Sequence, residues 1–230
     1  MSGLLILLCL APPEALEAYQ KGTALFNSGR LEEAVAAYAR AVELDPGNAQ
    51  YWKALGAAFA KGGDYRSSIE PFAKACGLNE RLTDACYYLG RNYYAVDRYA
   101  DAIAPLEKAL KHDPAKSRAE AALGQALEAL GRYEKAEKRL RSAVARRDAF
   151  DTQARVAYSQ FLRRQGRPAE SCKVLEEARQ PGGEEFWFEM GLALYQADRY
   201  AEALKALEKA PNHPDAAQLR DRARRRLAAQ

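Results

Sequence analysis

The chain has 230 residues; 48% belong to the nine hydrophobic types and 29% are charged. That balance excludes a disordered tail and a membrane bundle, and it leaves enough apolar surface for a substantial core. The 35 Lys+Arg against 31 Asp+Glu leave a net charge of +4, too even to announce a nucleic-acid binder, and 2 histidines with 4 cysteines offer few metal ligands.

The chain begins with one apolar run, Leu4 to Ala11, inside a leader segment 1–13. Eight residues cannot span a bilayer, which needs about 20. The run does match the apolar core of a secretory signal, about 7–15 residues. Against that, no Lys or Arg precedes it, and Ala11 is followed by Pro12. Cys9 does not suit a lipid anchor, because Leu8 stands where a small residue belongs. Two readings stay open: a signal peptide on an exported, periplasmic protein, or a tail packed on the first helix of a cytoplasmic one.

From residue 15 the chain repeats itself. Glycines in apolar context fall at Gly22, Gly56, Gly90 and Gly124, in steps of 34, and the register continues at Ser159 and Gly191. Turn residues keep the same steps: Gly29, Gly63, Asp97, Gly131, Gly166 and Asp198. So do a small series (Ala34, Ser68, Ala102, Ala136, Ser171, Ala203) and a bulky one (Tyr38, Phe72, Leu106, Leu140, Leu175, Leu207). A second small series runs Ala41, Ala75, Ala109, Ala143, Ala178 and Ala210. The units read as 15–48, 49–82, 83–116, 117–151, 152–183 and 184–214, with a capping helix at 215–229.

One unit shows the physics. Trp52, Leu55, Gly56 and Phe59 fall at i, i+3, i+4 and i+7, one face of a helix. Gly62-Gly63-Asp64 breaks it, and a second helix carries Ser68, Phe72 and Ala75 on one face. Small Gly56 and Ser68 allow close approach, and Phe59 and Phe72 fill the remaining space. Asp45-Pro46, Asp113-Pro114 and His213-Pro214 punctuate the units, because proline cannot continue a helix. Pro71 and Pro105 fall inside second helices. The fifth unit departs, with Tyr158-Ser159 and one extra loop residue. Such a hairpin cannot bury its apolar face alone, so neighbours must cover it.

The W-x2-L-G-x2-F match at 52–59 and the A-x3-F/L-x2-A forms at 34–41 and 102–109 resemble the tetratricopeptide-repeat (TPR) family. The resemblance covers about 15–214. It implies an all-α fold, an α-solenoid (right-handed superhelix) of six helix-turn-helix units, whose first helices line a groove for a partner's peptide or helix. Transferred to this chain, the groove positions are Tyr19, Thr23 and Phe26; Lys53 and Ala57; Tyr87, Arg91 and Tyr94; Arg118, Gln125 and Glu128; Gln160 and Arg163; and Phe188, Leu192 and Tyr195. Tyr87, Arg91 and Tyr94 share one helical face opposite Leu89, Gly90 and Tyr93, and are expected to be exposed, a composition typical of interaction hot spots. The family's clamp for acidic chaperone tails does not fit: the corresponding line is Lys53, Ala57, Tyr88, Arg118 and Ala122, without its asparagines.

Charge is uneven. Residues 131–180 carry 13 Lys+Arg against 7 Asp+Glu, so an acidic partner is expected to be drawn to the fourth and fifth units. Arg220, Arg222, Arg224, Arg225 and Arg226 crowd the end and read as the solvated face of the cap, or as an anion contact. His112 and His213 share one repeat position, held by Leu44 in the first unit, and are expected to pack there. Cys76, Cys86 and Cys172 lack metal or redox spacing and are expected to be small hydrophobes, favouring a reducing compartment. No phosphate loop or nucleophile elbow appears. The expectation is a non-catalytic adaptor without metal or cofactor. The alternatives are a cell-envelope assembly factor, or a binder of acidic polymer or nucleic acid.

Overall fold

The computed structural model describes residues 12–113, 117–146 and 151–229. Most of the leader, Pro114 with residues 115–116, residues 147–150 and Gln230 lie outside that set. The described residues form thirteen helices and no strand. The chain divides into two compact units, Met1–His112 and Asp113–Gln230.

The first unit holds three helical hairpins: α1 (Pro13–Asn27) with α2 (Leu31–Leu44), α3 (Ala49–Lys61) with α4 (Tyr65–Leu78), and α5 (Thr83–Ala95) with α6 (Tyr99–His112). The second unit pairs α7 (Ser117–Ala129) with α8 (Tyr133–Ala145), α9 (Asp151–Arg164) with α10 (Pro168–Glu176), and α11 (Glu184–Gln196) with α12 (Tyr200–Leu207). A last helix, α13 (Ala216–Leu227), packs on α12. Within each unit every hairpin also packs on the next, α2 on α3 and α4 on α5, then α8 on α9 and α10 on α11.

The turns explain the second glycine series. Gly29, Gly63, Gly131 and Gly166 have φ between 72° and 83°, and Asp97 and Asp198 occupy the same left-handed region at 61° and 59°. Aspartate tolerates that region better than most side chains. At both aspartates the carboxylate accepts a hydrogen bond from a tyrosine two residues on, Tyr99 or Tyr200. Those tyrosines pack on Tyr94 and Tyr195 at 5.2 and 5.5 Å between ring centroids.

Close approach within a hairpin pairs the first glycine series with the bulky series. A Cβ on Gly90 would lie 2.5 Å from Leu106 Cγ and 3.1 Å from the Ala102 carbonyl oxygen. The other hairpin glycines face their bulky partners at 2.5–2.9 Å in the same manner: Tyr38, Phe72, Leu140 and Leu207. In the fifth unit Ser159 replaces glycine, and its hydroxyl meets Ser171 at 2.6 Å.

Two expectations about side chains change. Cys76 and Cys86 are joined by a disulfide between α4 and α5, so the prediction that they pack as separate thiols fails; Cys172 is free and buried, as expected. Spacing along one chain could not show that the two helices turn these residues towards each other. Burial also raises the Cys172 thiol above its ordinary range. The histidines part ways. His213 is stacked on Phe188 at 3.6 Å, whereas His112 lies near the surface, 3.3 Å from Glu80.

Candidate partner-binding site

In the first unit, α1, α3, α4 and α5 enclose a cavity of about 490 Å3. Its wall is apolar and aromatic: Phe26 from α1, Ala57 from α3, Tyr65 and Phe72 from α4, and Tyr87 and Tyr88 from α5. Helical period places these together, because Tyr88 stands one turn from Arg91 and Asn92, which also line it. The Tyr88 ring stacks on Phe72 at 5.6 Å, and Tyr87 meets Tyr88 edge-on at 5.1 Å. Beneath them Asn92 donates to the Ser68 hydroxyl at 2.6 Å, a buried bond across the α4–α5 seam.

Two cations stand at this cavity. Lys61 Nζ lies 4.2 Å from the Phe26 ring centroid and donates to the Phe26 carbonyl. Arg91 is exposed and donates to the Tyr87 hydroxyl at 3.4 Å. Among the described residues neither forms an ion pair with a carboxylate. Tyr65 and Tyr88 are among the exposed large side chains, at 43% and 39%.

The cavity brings together four of the anticipated groove residues, Phe26, Ala57, Tyr87 and Arg91, and corrects the arrangement of the third unit. Tyr87 is 7% exposed, not a free aromatic; the exposed neighbour is Tyr88. A step of one residue turns a helix by about 100°, so adjacent tyrosines face different surroundings. Tyr94 is half-buried against Tyr99, and Tyr19 is stacked on Tyr51 at 4.9 Å; both brace helices. Thr23 accepts from the Tyr38 hydroxyl, and Lys53 lies half-buried on α3 outside the cavity wall. Lys61, Tyr65 and Tyr88 also line the cavity and were not among the expected groove positions. The aromatic character of Tyr65 and Tyr88 was the available signal.

The second unit treats its first helices differently. Arg163 grips Glu189 with two hydrogen bonds of 2.6 and 3.0 Å. Glu189 is 2% exposed and also accepts from Ser159 at 2.7 Å. The serine that departs from the repeat thus links α9, α10 and α11 through one polar network. Gln160 bonds Glu185 at 3.3 Å, and Glu128 receives both arms of Arg164. Phe188, Leu192 and Tyr195 pack against Leu207, Ala216 and Leu219, so the cap covers the face expected to be open in the sixth unit. Arg118 and Gln125 lie half-buried on α7.

The expected attraction of an acidic partner to 131–180 also changes. Arg139 and Arg146 reach buried Glu120, Arg141 and Arg167 reach Glu137, and Arg155 is buried on Asp151 at 2.9 Å. Hydrogen bonds from Arg167 and Tyr158 hold the Glu137 carboxyl below its usual range. Much of the positive charge is therefore engaged inside the unit. On α13, Arg222, Arg224, Arg225 and Arg226 are exposed, with Arg224 3.4 Å from Asp221.

No group of three or more His, Cys, Asp or Glu residues is placed to hold a metal among the described residues, and none of their helices is long and apolar enough to cross a membrane.

Paired helices with left-handed turns, glycine-to-bulky contacts and an aromatic cavity on the first helices define a helical-hairpin repeat protein of the α-solenoid class. Two tetratricopeptide-repeat family models match, one at residues 19–81 and 173–218 and the other at 93–160, and the chain belongs to the tetratricopeptide-repeat family. It is 29% identical over 105 residues to small glutamine-rich tetratricopeptide repeat-containing protein 2 of Mycosarcoma maydis, across 46% of this chain and 29% of that protein. It is 28% identical over 92 residues to superkiller complex protein 3 of Mus musculus, across 40% of this chain and 6% of that protein. The match thus spans under a third of either relative.

Solved structures share the fold. A tetratricopeptide repeat protein from Parabacteroides merdae superposes with a TM-score of 0.73 at 16% identity, over 92% of this chain and 85% of the other. Pseudomonas aeruginosa PilF gives 0.68 at 18%, over 91% and 97%, and a MamA protein gives 0.64 at 20%, over 82% and 94%.

Proposed function

We propose that the chain is a non-catalytic protein-interaction scaffold that captures a segment of a partner on the first-helix side of its first unit. One observation carries this reading. The cavity of about 490 Å3 combines an aromatic wall with Arg91 and Lys61, which no carboxylate of the described residues neutralises. That size lies in the range, about 300–1,000 Å3, of pockets that enclose a small ligand or part of a larger one. Tyrosine and arginine dominate interface energetics because they combine large contact area with directed hydrogen bonds. A preformed cavity leaves only the partner's segment to be ordered on binding. An acidic segment suits the two cations.

The test begins with isolation of the native partner and titration of the purified pair. Arg91→Ala should weaken binding about tenfold with little change in melting temperature, since its side chain is exposed, and adding Tyr88→Ala should weaken it further. A loss no larger than that from Arg222→Ala with Arg224→Ala on α13 refutes the reading, and it would favour the anionic-polymer alternative instead.

A second reading, an exported protein serving cell-envelope assembly, draws on the Cys76–Cys86 disulfide. Disulfides persist in oxidising compartments and are rare in reducing ones. Fractionation of the native cell, with thiol labelling before and after reduction, decides it. Cytoplasmic protein with both thiols labelled directly would end this reading.

A further inference from the structure

We infer that the first unit's cavity selects a large apolar side chain, aromatic before aliphatic, with a carboxylate on the adjoining residue. This rests on the proposal that a partner segment enters the cavity, and it specifies that segment's chemistry. Two features of the wall point the same way. The cavity surface is chiefly apolar, and its exposed large apolar side chains are Tyr65 and Tyr88. Rings prefer other rings in tilted or offset contact, so an aromatic guest gains more than an aliphatic one of equal area. The cavity's polar equipment is lopsided. Lys61 and Arg91 are the charged residues that line it, both are cations, and no acid lines it.

The hydrogen-bond inventory supports an anionic guest. Arg91 offers five N–H donors and uses one on Tyr87; Lys61 offers three and uses one on the Phe26 carbonyl. Both therefore retain donors, and a guanidinium fork suits a carboxylate. Asn92, the amide at the wall, is committed to Ser68 at 2.6 Å, and the Tyr87 hydroxyl accepts from Arg91.

A single carboxylate is favoured over a polyanion. Met1–His112 carries 12 Lys+Arg against 13 Asp+Glu, so the unit as a whole does not attract a phosphate backbone. Two cations beside an apolar wall meet one charged group attached to an apolar one. This guest differs from the acidic tail expected of the family's clamp, whose two asparagines are missing at Ala57 and Tyr88 and whose last arginine is missing at Ala122.

The experiment uses the full chain and fluorescein-labelled, end-blocked hexapeptides of the form Ser-Gly-X-Z-Gly-Ser. X is Phe, Leu or Ala, and Z is Glu or Gln; adenosine monophosphate serves as a separate probe. The Phe-Glu peptide should bind tightest, with Leu-Glu several-fold and Ala-Glu more than tenfold weaker. Replacing Glu with Gln should cost about tenfold on the wild-type chain, the worth of one charge-assisted hydrogen bond. On Arg91→Ala that Glu-to-Gln ratio should fall towards one, while the Phe-to-Ala ratio persists. Lys61→Met provides the same reading at the second cation.

A Glu-to-Gln ratio near one on the wild-type chain, with Tyr88→Ala still abolishing Phe-dependent binding, overturns this inference and leaves the scaffold reading standing. Peptide binding indifferent to Tyr88→Ala overturns both. Adenosine monophosphate binding tighter than every peptide, with loss on Arg91→Ala, also overturns it in favour of a nucleotide guest.

Discussion

Tyr88 and Glu189 occupy the same repeat position in the two units, three steps apart. In the third hairpin, within Met1–His112, that position holds an exposed ring at the wall of a cavity. In the sixth, within Asp113–Gln230, it holds a carboxylate that is 2% exposed, closed over by Arg163 and Ser159. Arg91 in the first unit meets no acid among the described residues, whereas Arg155, Arg163, Arg164 and Arg167 in the second each do. One repeat architecture thus serves two ends. The first unit leaves hydrogen-bonding capacity and aromatic surface for something else. The second spends its polar groups on holding its own helices together. A tetratricopeptide scaffold need not be open along every hairpin, and charge counted by sequence window overstates what a partner can meet.

The two units carry one tryptophan each, Trp52 and Trp187, so emission from Trp52→Phe or Trp187→Phe backgrounds reads each unit separately. The largest expected effect is in the second unit. Glu189→Gln removes the counter-charge of the half-buried Arg163 guanidinium, and breaking a buried pair costs up to about 3–5 kcal/mol. Urea unfolding followed at Trp187 should show it, while the Trp52 transition should not move. If Trp187 reports under about 1 kcal/mol, the polar network is not what holds α9 to α11.

Next comes the first unit's covalent tie. Cys76→Ser with Cys86→Ser removes a bridge across a sequence separation of 10. On the chain-entropy model that costs about 2–3 kcal/mol. Urea unfolding read at Trp52 checks it, and an unchanged midpoint would show that the seam relies on Phe72–Tyr88 packing and the Ser68–Asn92 bond.

Gly90→Leu drives a side chain into Leu106 and the Ala102 carbonyl. It should cost about 1–3 kcal/mol or more, again at Trp52 alone. By contrast, Arg91→Ala should alter stability by less than about 0.5 kcal/mol, because the residue is exposed and carries no ion pair. A larger thermal shift would make Arg91 a structural brace and erase the contrast between the units.

The smallest effect concerns acid. The Glu137 carboxyl titrates below its unfolded value, so it contributes stability that is present above the usual carboxylate range, near pH 4.3, and lost as pH falls through the lower folded value. Glu137→Gln should flatten the acid limb of the Trp187 unfolding curve and leave the Trp52 limb unchanged. An identical slope in wild type and variant would show that Arg167 and Tyr158 hold the carboxyl too loosely to matter.

How much of this was readable beforehand differs by element. The turns were legible because only a few residue types tolerate positive φ, and Gly29, Gly63, Asp97, Gly131, Gly166 and Asp198 recur on one period. The glycine-to-bulky contacts were half legible. Both series were visible, but the pairing of Gly56 with Phe72 rather than Ser68 needed the crossing of the helices. In the third hairpin, Arg91 stands exposed at the cavity, as the helical period suggested, whereas Tyr87 is buried and its neighbour Tyr88 is exposed. Phe188 and Tyr195, expected to line a groove, pack partly buried against the cap, because an apolar helical face accepts a cap as readily as a partner.

Sequence alone determined the repeat period, the paired helices, the turn conformations and the family. These depend on backbone preferences and on spacing along one chain, which local chemistry dictates. Tertiary structure decided which side chains remain available: the Cys76–Cys86 bond, the sealing of Glu189, the cover over Phe188, and the cavity beside Tyr88 and Arg91. The reason is geometric. Burial and ion pairing depend on which residue of a neighbouring helix arrives within about 4 Å, and periodicity along a single helix carries no record of that.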